Sequence, residues 1–203
     1  MTALHYLDAS TALGLFRRRE LSPVELLQAV IDRIGEVNGG VNALTETLFE
    51  EALPAARKAA TQYARGRDIT PLLGLPVAAK EKHGLQGRTL SQGLVMRKDT
   101  IAESDHPVID RIRRAGGIIH ARTTTPELSC ATVTHSPLWG GVTRNPWNQQ
   151  FSPPVGHREV QVRRWLQGSR PWLRRPTSLD QPGCRRHSLG PLATRRPTEG
   201  FQG

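Results

Sequence analysis

The chain has 203 residues, a net charge of +10, 37% hydrophobic residues and two cysteines. That length accommodates one medium domain with a real core, or one domain and a tail, and the apolar runs are far too short to span a bilayer. Cys130 and Cys184 lie too far apart in sequence to suggest a disulfide framework or a metal-ligand spacing, so neither class of small stapled domain applies.

The charge is unevenly placed. Residues 1–152 have a net charge of +3, whereas residues 153–203 carry 10 Arg, no Lys and three acids, for +7, together with 7 of the 15 prolines. A charge of this size ordinarily points to nucleic acid or a membrane surface, but here it belongs to the last quarter of the chain. The opening Met1-Thr2-Ala3-Leu4-His5 has no basic segment followed by an apolar one, so no secretory signal is expected and the cytoplasm is the expected compartment.

In chain order, Ser10 is expected to cap a short helix reaching Arg19. Ser22-Pro23 with Glu25 in the first turn is a strong start signal, and Leu26, Leu27, Val30, Ile31 and Ile34 recur at helical spacing to about Val37, with Asn38-Gly39-Gly40 as the stop. A further helix is expected from Phe49 to Ala64, bent or delayed by Pro54. Gly74 to Lys80 is a short apolar run bounded by turn formers, which suits a buried strand. Asp105 to Ala115 is expected to be a helix closed by Gly116-Gly117, followed by a second buried strand at Ile118–Ala121. Strand, helix, strand in this order predicts a βαβ-like unit with residues 75–80 and 118–121 as neighbours. Thr123-Thr124-Thr125-Pro126-Glu127 suggests another helix cap with Pro at the first helical position. A loop rich in Gly, Pro and Trp runs from His135 to Trp147. After Phe151 no periodicity survives, and residues 154–203 are expected to show little regular packing.

Taken alone, Lys80 is most simply a strand-end lysine whose ammonium reaches water, although desolvation at such a place is also how a lysine base is made. Gly84 to Gly93 and Gly116-Gly117 lack phosphate-loop and dinucleotide spacings and are expected to be turns. His83, His106, His120 and His135 have no metal-ligand spacing and are expected to be solvated or core histidines, and Cys130 a packed thiol. Arg17-Arg18-Arg19 is expected to be a solvated helix end. The arginine-rich tail, with Trp165 and Trp172 interleaved, has the composition of a segment that contacts RNA phosphates and bases.

Four stretches together carry a resemblance. Glu20-Leu21-Ser22-Pro23-Val24-Glu25-Leu26, Gly74-Leu75-Pro76-Val77-Ala78-Ala79-Lys80, Thr124-Thr125-Pro126-Glu127 and Thr143-Arg144-Asn145-Pro146-Trp147-Asn148 resemble, in order and spacing, the N-terminal third of the amidase signature enzymes. The resemblance covers about residues 5–153. It implies an α/β fold, a mixed β-sheet flanked by helices, present here in incomplete form over residues 1–152. It also implies hydrolysis of carboxylic amides, or transfer of their ammonia, by a lysine, a serine with a cis peptide bond and a nucleophilic serine. Lys80 then becomes the general base, the partner a small-molecule amide, and no cofactor or metal is implied. One departure stands beside it: the family usually has an aspartate after this lysine, and here the residue is Glu81.

The family's two serines should follow in a Gly-Gly-Ser-Ser-Gly-Gly-like loop and a Gly-Gly-Ser-X-Arg-like turn, but the chain reads Ser152-Pro153-Pro154-Val155-Gly156-His157-Arg158-Glu159. Back-translation of residues 154–203 offers an explanation. With suitable choices of degenerate bases, an alternative frame accommodates a Gly-Gly-Thr-Ser-Gly-Gly-Ser run, a Gly-Ser-Thr-Arg turn and a Gly-Tyr-Lys motif in family order. A frameshift between about Asn148 and Pro154 would leave Arg158 about where the cis-peptide serine belongs and Gln181 about where the nucleophile belongs. On this reading residues 153–203 are out of frame and disordered, the product is truncated and inactive, and an uncovered sheet edge makes it poorly soluble. Two alternatives are a protein like the A subunit of the amidotransferases that act on charged tRNA, and a non-enzymatic basic protein whose tail binds RNA. An accidental tail is expected to bind RNA weakly, without sequence preference and with affinity falling steeply as salt rises, and deletion of residues 154–203 should abolish the binding. Filter binding or anisotropy across a salt series checks this; tight, salt-resistant binding to one RNA would favour the RNA-binding reading.

Overall fold

In the computed structural model the structure describes residues 3–150. The domain boundary expected at residue 152, the tail with Trp165, Trp172 and Cys184, and the positions Arg158 and Gln181 lie outside the described residues.

The first helix, α1 (Ala9–Arg18), is capped earlier than expected. Asp8, not Ser10, is the N-cap: its carboxylate accepts from the Thr11 amide at 2.9 Å, and Ser10 and Thr11 donate their hydroxyls to the same side chain. A carboxylate at this place also meets the positive end of the helix dipole, which a serine does not. Arg17, Arg18 and Arg19 are exposed at the other end, as their run of charge suggests. Helix α2 (Pro23–Val41) opens on a reciprocal capping box, with Ser22 Oγ accepting from the Val24 amide at 3.2 Å and Glu25 accepting from the Ser22 amide at 2.8 Å. It does not stop at Asn38-Gly39-Gly40. Glycine only weakens a helix, and the extra turn puts Val41 into the core at 3% exposure. Asn42, in the left-handed region at φ 53°, ends it, and Asn38 Oδ1 accepts from the amides of Ala43 and Leu44 at 3.0 and 3.2 Å.

Strand β1 (Leu44–Thr47) was not expected, because Leu-Thr-Glu-Thr has neither an apolar run nor a clear alternation. Helix α3 (Phe49–Arg65) begins on time despite Pro54 in its second turn, so the proline does not delay it. Strand β2 (Pro76–Lys80), helix α4 (Pro107–Arg114) and strand β3 (Ile118–Thr123) form the expected βαβ unit, with β2 and β3 parallel neighbours. The sheet order is β1-β3-β2, with β1 antiparallel to β3, so β3 is central and the sheet is mixed. The helix expected after Pro126 is a single 3-10 turn at Glu127–Ser129, where Leu128 and Ser129 take left-handed φ of 49° and 61°. That turn leaves Cys130 exposed rather than packed. Within the expected loop, β4 (His135–Ser136) and β5 (Gly141–Val142) make a short hairpin.

Both faces of the sheet are covered. Val77, Ala79 and Ile119 pack with Leu85 and with Ile109 and Ile112 of α4. On the opposite face Ile118 meets Leu27, Ala52 and Ala56, and Ala78 meets Val30 and Ile34. A further cluster joins α1 to the end of α3 through Phe16 and Tyr63, whose rings stand 5.7 Å apart and whose phenol donates to the Leu73 carbonyl at 3.0 Å. Among the described residues no helix is long and apolar enough to cross a membrane.

The four histidines divide. His135 is exposed, while His83 and His106 are half-buried against each other. His120 is a core histidine at 3% exposure, and neither ring nitrogen makes a hydrogen bond of normal geometry among the described residues. It sits where the β2–β3 pairing jumps from Val77↔Ile119 to Ala78↔Ala121, so it is the extra residue of a bulge. Burial pushes its pKa down from 6.5 to about 4, with the Val77 backbone opposing weakly. The sign follows from linkage. Between these values the unfolded chain holds the extra proton, so the contribution is full above about pH 6.5 and is lost as pH falls toward 4. Between about pH 7 and about pH 5 the wild-type chain is expected to lose roughly 2 kcal/mol more stability than His120→Leu. Urea midpoints of both at the two pH values check this, and parallel losses would discharge His120 from the effect.

Candidate active site

Lys80 is the last residue of β2 and lies at the carboxyl end of the parallel β2–β3 pair, opposite Thr123. Carboxyl ends of parallel strands are where α/β sheets commonly gather their ligand-binding groups. The side chain does not extend freely into water: Lys80 is 8% exposed. Its carbonyl accepts from the His83 amide at 2.9 Å, which turns the chain sharply after the strand.

The turn is fixed by a buried ionic cluster. Glu81 is 1% exposed, its amide donates to the Thr123 carbonyl at 3.0 Å, and its Oε1 accepts from the Ser91 amide at 2.7 Å, the Ser91 hydroxyl at 3.0 Å and the Gln92 amide at 3.3 Å. Arg122, also 1% exposed, reaches across from β3. Its Nη2 donates to the Glu81 carbonyl at 2.8 Å and lies 4.0 Å from Glu81 Oε1, while its Nη1 donates to the Thr89 carbonyl at 2.7 Å and lies 3.4 Å from Glu46 Oε2. One guanidinium therefore ties β1, β3, the residue after Lys80 and the following loop together. In the sequence Glu81 stands out only as a departure from the family pattern, and Arg122 does not stand out at all. The available signal was a single arginine continuing the otherwise apolar Ile118-Ile119-His120-Ala121 strand, which extends two residues further than expected.

Hydroxyl groups surround this end of the sheet, and those whose bonds are defined are engaged. Thr124 and Thr143 share a hydrogen bond at 2.7 Å, Thr143 donates to the Asn42 carbonyl at 2.9 Å, and Thr125 pairs with Ser129 at 2.9 Å. Ser136 donates to the Gly93 carbonyl at 2.8 Å and accepts from the Leu138 amide at 3.2 Å. Gly93 lies against the Thr125–Glu127 backbone at φ 78°, where an added Cβ would stand 2.9 Å from the Thr125 oxygen, so this loop requires glycine. Ser91 and Ser136 are 3% and 0% exposed, which denies them contact with a substrate. A serine nucleophile needs both access and an activating base. Among the described residues there is no group of three or more His, Cys, Asp or Glu side chains arranged to hold a metal ion.

The sequence matches the family described as Amidase over residues 25–154. It is 40% identical over 145 residues to an indoleacetamide hydrolase of Bradyrhizobium diazoefficiens, covering 71% of this chain and 28% of that protein. It is 32% identical over 150 residues to the A subunit of a glutamyl-tRNA(Gln) amidotransferase of Moorella thermoacetica, covering 74% and 31%. A solved fatty acid amide hydrolase superposes with a TM-score of 0.74 at 23% identity, over 82% of this chain and 29% of that one, a likeness of fold. The chain thus spans less than a third of the length of these relatives.

Removing one partner of a buried ion cluster leaves the others desolvated and unpaired. Arg122→Met is therefore expected to cost about 3–5 kcal/mol, with Arg122→Lys intermediate because it restores charge but not the fork geometry. Chemical denaturation measures both. A loss below about 1 kcal/mol for Arg122→Met would mean that the cluster behaves like a surface pair.

Proposed function

The chain belongs to the amidase signature family, and on that premise we propose that its gene specifies a hydrolase of carboxylic amides in which Lys80 is the general base, and that the polypeptide as written does not complete the reaction. The observation that carries this reading is Lys80 itself, buried at the carboxyl end of β2 inside the matched segment. A strand-end lysine withdrawn from bulk solvent is a suitable place for a general base.

In the reaction, the neutral Lys80 amine takes the proton of the cis-peptide serine as that residue takes the proton of the nucleophilic serine. The nucleophile's oxygen attacks the amide carbonyl carbon, and backbone amides hold the oxyanion. Collapse breaks the C–N bond, the proton returns to the leaving nitrogen, and the acyl-serine ester is hydrolysed by water to the free acid. Neither the Gly-Gly-Ser-Ser-Gly-Gly-like loop nor the Gly-Gly-Ser-X-Arg-like turn that supplies these serines is present in the 203 residues. The family match ends at residue 154, where the composition turns to arginine and proline and where the alternative frame accommodates the missing motifs. Both support a frame change near that codon.

The resemblance to the indoleacetamide hydrolase supports a small carboxylic amide as substrate. A second reading is an amidotransferase component that passes on the released ammonia. It is supported by the 32% identity to such a protein and uses the same acyl transfer.

The 203-residue chain, purified free of host amidases, is expected to give no measurable hydrolysis of aliphatic or aryl amides. The gene with its frame restored near codon 153 and extended to its natural stop should gain activity, and Lys80→Ala should then remove it by on the order of 10⁴-fold or more. Turnover by the 203-residue chain that Lys80→Ala abolishes would overturn the inactive reading; a restored enzyme indifferent to Lys80→Ala would overturn the assignment of the base.

A further inference from the structure

On the α2 face of the sheet a small cavity lies between α1, α2 and β2, and Ala12, Leu26, Val30 and Ala78 belong to its apolar wall. It leaves about 20 Å³ for the centre of a water-sized molecule, which is room for one water and little more. Two polar side chains also line it. His120 comes from β3 and is 3% exposed, while His5 is half-buried and comes from the 3-10 turn Leu4–Tyr6 that precedes α1. Lys80 is not part of the wall, so the cavity is separate from the candidate active site.

A neutral imidazole has one nitrogen that donates and one that accepts. Among the described residues neither nitrogen of His120 makes a hydrogen bond of normal geometry, and the Val77 backbone, which acts weakly on the ring, can serve at most one of them. At least one nitrogen is therefore buried without a partner from the protein, which is unfavourable unless something else meets it. A wholly apolar cavity of this size would stay dry, but a cavity with an unmet polar atom in its wall is where a buried water belongs. We propose that this cavity is a hydration site, in which one water is held by the His120 imidazole and met from the mouth of the cavity by His5. The water gives the bulge residue of β3 the hydrogen bond that its apolar neighbours withhold. A larger apolar ligand is excluded by the volume.

The full chain at about pH 7.5, where His120 is neutral, provides the test. The Ala12 and Ala78 methyl protons are expected to give water cross-peaks with NOE and ROE of opposite sign, the signature of a water held longer than the molecule takes to tumble. In His120→Leu these cross-peaks should vanish. Ala78→Val fills the cavity and supplies a second, independent measurement. If a water is displaced, Ala78→Val lowers the folding equilibrium constant about fivefold or more further in the wild-type chain than in His120→Leu, because only the wild type keeps a nitrogen to be stranded. If the cavity is dry, Ala78→Val stabilises the wild type, or strains both chains with at least as large a fall beside the bulkier Leu. Missing cross-peaks in the wild type, cross-peaks undiminished in His120→Leu, or a fall from Ala78→Val no larger in the wild type would each overturn the hydration site.

Discussion

The Arg122 guanidinium is the group around which the Lys80 end of the sheet is assembled. Placing a cation at 1% exposure in the central strand is unfavourable by several kcal/mol unless its donors are met. Its two Nη groups are met by two carbonyls that no regular ladder would otherwise satisfy, those of Glu81 and Thr89, and by the nearby carboxylates of Glu46 and Glu81, while its Nε makes no hydrogen bond among the described residues. Because those groups belong to β1, to the turn after β2 and to the following loop, one side chain sets their mutual positions. Glu81 extends the same constraint by gathering the Ser91 and Gln92 amides. Lys80 stands between the strand that buries it and this cluster, so its backbone is held from both sides.

The second constraint is the bulge at His120. Without an extra residue, the pleat would carry every side chain of β3 after Ile119 to the opposite face. The bulge lets Ile118 and Ile119 fill the two cores while Arg122 still arrives beside the Glu81 turn. The consequence is an imidazole kept neutral in an apolar environment, which makes the core itself sensitive to acid. A structural device and an ionisable group are therefore linked in this fold, at the sheet through His120.

Family membership and chain length give this arrangement its meaning. The described residues supply the scaffold and a buried lysine, while the chain covers less than a third of the relatives it resembles. On the proposed reading of Lys80 as the base, the strand that carries it contributes one member of an acyl-transfer unit whose parts act only together.

Much was legible in the sequence where a signal is local. The Ser22-Pro23-Glu25 capping box, the periodic apolar face of α2, the two buried strands and their parallel pairing, and four short stretches in family order all rest on neighbours a few residues apart. Other features were not legible, because their causes are distant in sequence. Strand β1 has no pattern of its own and exists because β3 offers it a partner. Helix α2 outlasts two glycines because Val41 finds a core to enter, and Pro126 starts only one turn because the chain must then cross Gly93. Glu81 reads only as a departure, and Arg122 goes unmarked, until the fold brings them within 4.0 Å. The sequence by itself determined the family, the α/β class and the lysine at a strand's end, since these are written in short-range pattern. Tertiary structure alone decided that this lysine is buried, what clamps its turn and that His120 is kept neutral in the core, since burial and charge pairing depend on what the rest of the chain brings alongside.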